Sequence, residues 1–380
     1  MASLSQPDLT NEVGLSKYLT AKSISHTNVT LLTGGTANYV YRVTSSSSPS
    51  SEPFLSQKKT VIYKHAAPYL HSNPSFAFDS KRMDYENHVL TIVPELMRPY
   101  LERVQSNVHA VKRYSYDEER RLLCLEDGGE MELKKAYVNL TLDVAEIGAQ
   151  LGSWLVVLHT STKGTSLSLT ASAGEDEEYL KANNSIGVAI YRHSYANLAA
   201  AFTEYGHDVE LAKRVNEEFG SRLATDNECV CHGDFWPGNV LVKCNDERRD
   251  AVNLTIVDWE MSRRGTSATD VGQFAAEAFL LDRFRGVKGL LGAFLDAYLS
   301  SRDFENEEAA KEWAKRVVVH WAVHIAFWPT RVEWADRAGT QSLVDMGAMA
   351  LKAVLGGDGV QLRDCELLRR AGKKLTRLLA

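Results

Sequence analysis

At 380 residues the chain is too long for one compact core and points to two lobes. Its 44% hydrophobic and 24% charged residues are ordinary for a soluble globular protein. A net charge of -6 argues against nucleic acid as the main partner, because phosphate binding wants a basic face. No stretch approaches the roughly 18 apolar residues of a membrane span, so no membrane partner is expected. The five cysteines (Cys124, Cys229, Cys231, Cys244, Cys365) lack zinc-site spacing and read as reduced thiols. The opening MASLSQPDLTNEVG has neither the basic start nor the apolar run of a signal peptide. The expected location is cytoplasmic.

In chain order, Val29 to Leu32 and Tyr39 to Val43 flank the turn Thr33-Gly34-Gly35-Thr36-Ala37-Asn38 and read as a β-hairpin. A Ser/Pro-rich segment, TSSSSPSSEPFLSQ, reads as an exposed loop. Thr60 to His65 resumes as a strand. Lys81 to Met97 has helical spacing, with Pro94 expected to bend or end it. Val108 to Tyr114 and Arg121 to Leu125 read as two more strands, and Glu126-Asp127-Gly128-Gly129 breaks the pattern.

From Leu142 the reading turns helical. Leu151, Leu155 and Leu158 share a helix face that closes near His159. The polar stretch 160–178 reads as a surface loop. Short strands return between Cys229 and Val257, and helices dominate from Asp270 onward. The expected fold class is α+β, with a small β-rich lobe over residues 1–126 and a larger, mainly helical lobe over 127–380.

The chemistry concentrates in Val230-Cys231-His232-Gly233-Asp234-Phe235-Trp236-Pro237-Gly238-Asn239, where an aspartate precedes an asparagine by five residues. Leu254 to Val257 then ends on Asp258-Trp259-Glu260. Two strands joined by the polar turn 243–250 would bring Asn239 and Asp258 to one end of a hairpin. Phosphoryl transfer needs oxygen ligands for metal ions on the phosphates and a separate carboxylate to take the proton of the attacking hydroxyl. Asp234 fits the base; Asn239 and Asp258 fit the metal.

The run HGDFWPGN resembles the catalytic loop of the aminoglycoside phosphotransferase, choline kinase and methylthioribose kinase superfamily. Asp258-Trp259-Glu260 looks like that superfamily's counterpart of the protein-kinase D-F-G. The resemblance implies a bilobal, protein-kinase-like fold and an ATP- and Mg2+-dependent kinase that phosphorylates a hydroxyl of a small metabolite. It implies Asp234 as catalytic base, Asn239 and Asp258 as Mg2+ ligands, and Glu260 near the metal or acceptor. Gly34, Gly35 and Asn38 would lie in the phosphate-covering turn. Lys64 would bind the α/β-phosphates, paired with an acid on the next helix: Glu86, with Asp84 and Glu95 as alternatives. Backbone groups around Leu125, Glu126 and Asp127 would hold adenine.

Other positions carry two readings. Asp270 is either a helix N-cap or a support of the catalytic loop. His232 reads as loop support and His159 as core. Trp313, Val317, Trp321, Ile325 and Trp328 recur at helical spacing and read first as a core face. The alternative is an acceptor pocket, even a cation–π cage, flanked by His320, His324, Arg331 and Glu333. A catalytically silent pseudokinase is the competing function. Gly233, Trp259-Glu260 and the lack of an A-P-E segment disfavour a protein kinase.

Overall fold

The computed structural model describes residues 6–46, 58–129, 131–170, 182–244, 252–357 and 359–379. They form two compact units, residues 1–92 with 110–129 and residues 93–109 with 130–380. The expected loops at 47–57, 171–178 and 245–250 lie outside the described residues, as does the side chain of Cys244.

The first unit begins with a helix absent from the sequence reading, α1 (Glu12–Ala21), capped by the Asn11 side chain on the Gly14 amide. Strands β1 (His26–Leu31), β2 (Tyr39–Ser45) and β3 (Thr60–His65) follow, then the hairpin β4 (Tyr69–Leu70) and β5 (Asn73–Ala77). Thr44 and Ser45, assigned to a loop by their composition, extend β2. Helix α2 (Arg82–Val104) leads to β6 (Val108–Ala110), β7 (Arg113–Asp117) and β8 (Leu122–Glu126). The main sheet is antiparallel in the order β1-β2-β3-β8-β7.

Alternation divides this sheet into two faces. Tyr41, Val43, Val61, Tyr63, Leu122 and Cys124 form a core with Leu15 and Leu19 of α1. The opposite face carries Lys64, in register with Val40 and Leu123, and Arg42, in register with Ile62.

Two expectations are corrected here. Of the bend or end expected at Pro94, the end is corrected: α2 runs through both Pro94 and Pro99 to Val104. A helical proline forfeits one backbone hydrogen bond. The burial of Met83, Val89, Leu90, Val93 and Met97 offsets that loss. Val108 to Tyr114 is not one strand: β6 joins a sheet of the second unit, while β7 edges the main sheet of the first.

In the second unit, α3 (Leu133–Ala136), α4 (Val144–Ser161), α5 (Ser185–Tyr191), α6 (His193–Glu204) and α7 (Val209–Val215) precede the strands. Strand β9 (Cys229–Cys231) pairs with β12 (Arg263–Gly265). Between them, β10 (Val240–Cys244) pairs antiparallel with β11 (Val252–Ile256). Helices α8 (Ser267–Arg285), α9 (Leu290–Ser300), α10 (Glu307–Phe327) and α11 (Arg337–Gly356) complete the body, followed by three short helices.

Every residue of α8 from Ser267 to Asp282 is buried, polar ones included. A helix covered on all sides lies at the centre of its unit. Four free cysteines, Cys124, Cys229, Cys231 and Cys365, are also buried.

Four of the five stripe positions are core, and Trp328 is half-buried. Trp313, Val317, Trp321 and Ile325 are buried on α10, and the Trp321 ring meets Phe279 edge-on at 5.8 Å. A cation–π cage built on this stripe is therefore set aside. Its Nε1 has no hydrogen-bond partner among the described residues. Trp321→Ala should thus cost about 3–5 kcal/mol in a urea unfolding transition. Trp321→Phe should cost clearly less, since it shrinks the ring without breaking a hydrogen bond.

Candidate active site

In the first unit the glycine turn is open. Gly34 takes φ +112°, and a Cβ at either Gly34 or Gly35 would meet nothing within 4 Å. The following residue is engaged: Asn38 Oδ1 accepts from Arg82 Nε at 3.2 Å and Nη2 at 3.0 Å. Arg82 is fully buried and also donates to the carbonyls of Ala37, Ala67 and Phe78 at 3.2, 3.1 and 2.9 Å. It ties the turn to the first residue of α2, a role the sequence reading missed.

Lys64 Nζ lies 2.7 Å from Glu86 Oε2, and both side chains are buried. The alternatives have other partners. Asp84 pairs with Arg121 and accepts from Tyr116 at 2.6 Å. Glu95 pairs with Arg98 on the surface. A buried ion pair adds little net stability after desolvation. Leu125 is buried on β8. Asp127 accepts from Arg42 Nε at 2.7 Å and from the Gly129 amide at 3.1 Å, which fixes the chain after β8.

In the second unit the stretch 232–239 is pinned from beneath. Phe235 is fully buried among Trp154, Phe274 and Phe294, with ring centroids 6.1, 5.3 and 6.4 Å away. Gly233 takes φ +80°, and a Cβ there would stand 2.0 Å from the Met261 carbonyl oxygen. Only glycine fits.

Asp270 settles its two readings. Thr266 caps α8, whereas the Asp270 carboxylate, fully buried one turn in, accepts from the amides of His232 (2.7 Å) and Gly233 (3.1 Å). It also meets His159 Nε2 at 3.1 Å, and His159 Nδ1 meets the Tyr298 hydroxyl at 2.8 Å. Burial by itself would raise the Asp270 pKa. The hydrogen bond and charge of His159, with the charges of His232 and Arg263, outweigh it and hold the carboxyl below its usual range. His232 Nδ1 accepts from the Asp234 amide at 3.2 Å, and its Nε2 lies 3.1 Å from the Val257 carbonyl. Both histidines are framework of the loop.

Asp234 is half-buried and held by both oxygens. Oδ1 accepts from Gln273 Nε2 at 2.7 Å and Oδ2 from Asn239 Nδ2 at 2.9 Å. Burial, then the negative charge of Asp258, push its pKa up to about 7, against hydrogen bonds from Gln273, Asn239 and Trp236. Gln273 was not among the sequence candidates, although its place three residues after Asp270 on one helix was the available signal.

The β10–β11 register sets Val240 opposite Ile256, and the Val257 amide donates to the Asn239 carbonyl at 3.0 Å. Asn239 and Asp258 thus leave one end of the hairpin together. Asp258 takes φ +68°, a left-handed conformation that aspartate tolerates better than most residues. Its carboxylate and that of buried Glu260 offer oxygens within 4.8 Å of each other. Asn239 spends its amide nitrogen on Asp234, which leaves its Oδ1 for a cation. A second grouping, His159 with Cys229 and Cys231, is buried, but both imidazole nitrogens are already taken.

Of the expected acceptor flank, His320 is buried between the hydroxyls of Tyr191 (2.9 Å) and Tyr195 (3.0 Å). His324 Nε2 lies 2.9 Å from Glu277 Oε1, and Arg331 and Glu333 are exposed.

A family model described as "Phosphotransferase enzyme family" matches residues 28–313. The 4-hydroxytryptamine kinase of Psilocybe cyanescens is 25% identical over 352 residues, covering 90% of this chain and 92% of its own. That of Psilocybe cubensis is 24% identical over 362 residues, covering 92% and 95%. Among solved structures, the microcompartment-associated aminopropanol kinase superposes with a TM-score of 0.50 at 14% identity, covering 92% of this chain and 99% of that one. The fold is the α+β, protein-kinase-like one.

Asp270→Asn should lower the melting temperature at pH 7, because a buried amide group then faces two amide donors that need acceptors. The depressed pKa means this stabilisation is complete above the ordinary carboxylate value of 3.8 and fades as the pH falls through the lower folded-state value. The gap between wild type and variant should therefore be flat from pH 8 to about 5 and narrow below about pH 4. A gap that widens on acidification would contradict the assignment.

Proposed function

Since the chain belongs to the phosphotransferase enzyme family, we propose that it transfers the γ-phosphate of ATP, with Mg2+, to a hydroxyl of a small molecule. The observation that carries this reading is Asp234, held by Gln273 and Asn239, with a proton affinity raised to about 7. A carboxylate poised near neutrality is suited to orient a hydroxyl and accept its proton.

The residues fit the co-substrate and the ion. The turn at Gly34 and Gly35 leaves backbone exposed with open space above it, as phosphate oxygens require. Lys64, oriented by Glu86, would meet the phosphates, and the chain at Leu125 to Asp127 would receive the adenine. Asp258, Asn239 and Glu260 offer oxygen only, the donor set of a hard divalent cation. Bound Mg2+ would supply neutralisation of charge on the transferring group. Asp234 would take the proton as the acceptor oxygen bonds to phosphorus and ADP departs.

Hydroxyl acceptors should be screened for Mg2+-dependent ATP consumption, with 4-hydroxytryptamine first because the two Psilocybe relatives carry that name. Asp234→Asn should lower kcat by roughly a hundred- to ten-thousand-fold while Mg·ATP affinity by calorimetry stays within a few-fold. Asp258→Ala should instead weaken nucleotide binding only when the metal is present. Full turnover by Asp234→Asn would remove Asp234 from the base role. Calorimetric nucleotide binding with no turnover on any acceptor would favour the pseudokinase.

A further inference from the structure

We propose that Lys134 is the built-in occupant of a cation site beside the catalytic loop, and that it thereby excludes acceptors whose quaternary ammonium group would sit there. The acceptor side of this statement rests on the phosphotransferase reading above.

Lys134 lies on α3, and its Nζ sits 4.8 Å from the ring centroid of Trp236 and 4.3 Å from that of Trp334. Glu277 Oε2 completes the box at 3.6 Å. That carboxylate is buried, and Oε1 meets His324 Nε2 at 2.9 Å. Among the described residues Oε2 has no hydrogen-bond partner within 3.5 Å and faces the Lys134 ammonium.

A lysine that served only as counter-ion would close onto the carboxylate, as Lys64 does on Glu86 at 2.7 Å. Here the ammonium stands off the acid and over two indole faces. Aromatic faces with a nearby charge, and no demand for a hydrogen bond, suit an ammonium that has no N–H to give. The box also borders the reacting group. Trp236 hydrogen-bonds through its side chain to Asp234 while its face holds Lys134. Gln273 and Glu277, four residues apart on α8, serve Asp234 and the box respectively. The Lys134 side chain keeps 20% exposure, so the site is open to solvent.

Tetramethylammonium, titrated against tryptophan fluorescence, tests this without requiring turnover. Lys134→Ala should bind the ion at least roughly tenfold more tightly than wild type. Lys134→Met, which keeps the stem in the box, should show no gain, and adding Glu277→Gln to Lys134→Ala should abolish it. Lys134→Ser carries the same expectation as Lys134→Ala should the alanine variant not fold. Equal affinity in wild type and a folded Lys134→Ala protein, or an equal gain in Lys134→Met, would overturn the proposal. In Lys134→Ala the bound ion should also inhibit competitively against a working acceptor; non-competitive behaviour would remove the role in acceptor choice. Gained binding with no acceptor phosphorylated by either protein would count against the phosphotransferase reading and leave the box standing.

Discussion

The second unit depends on one buried carboxylate. Asp270 has no solvent to satisfy it, and its oxygens are satisfied by two consecutive loop amides and one imidazole. A buried charge survives only when it is hydrogen-bonded on all sides. The loop from His232 to Asn239 therefore cannot shift without stranding that charge. This demand also explains the neighbours: glycine at 233, where the chain passes against Met261, and a histidine at 159 that reaches Asp270 with one nitrogen and Tyr298 with the other.

Helix α8 turns this anchor into a ruler. Asp270, Gln273 and Glu277 follow at intervals of three and four, which places them on one face, one turn above another. The first holds the loop backbone, the second holds the Asp234 carboxylate, and the third is itself the acid beside Lys134. Errors in their relative placement are limited to side-chain freedom, because a helix packed on all sides does not bend easily.

Juxtapositions set by local spacing were legible in the sequence. The interval from Asp234 to Asn239 and the strand-terminal Asp258 could be read directly, and so could the β1–β2 hairpin, because alternation and Gly-Gly punctuate it. Less legible were features set by tertiary context. Nothing in Arg82 distinguishes it from a surface residue until its partners are known, and Gln273 had only its spacing from Asp270 to mark it. Pro94 carried a real local cost that burial along α2 outweighed. Helix α1 is short and follows a polar start, so its periodicity had little room to show. The tryptophan stripe illustrates the opposite trap: helical spacing of aromatics is equally the mark of a core, and Trp321 lies in one.

The two lysine–glutamate pairs show why distance, and not mere proximity of charge, separates roles. Lys64 and Glu86 touch at 2.7 Å in a buried setting, an arrangement that fixes the ammonium in one place at the expense of desolvating both groups. Lys134 and Glu277 remain 3.6 Å apart, with the ammonium shared between the acid and two rings. The first geometry holds its ammonium in one place against a single carboxylate. The second keeps its ammonium off the acid, over the faces of Trp236 and Trp334, with a fifth of the lysine side chain exposed. The same ion types thus form a pair locked in direct contact in one unit and an ammonium shared between an acid and two aromatic faces in the other.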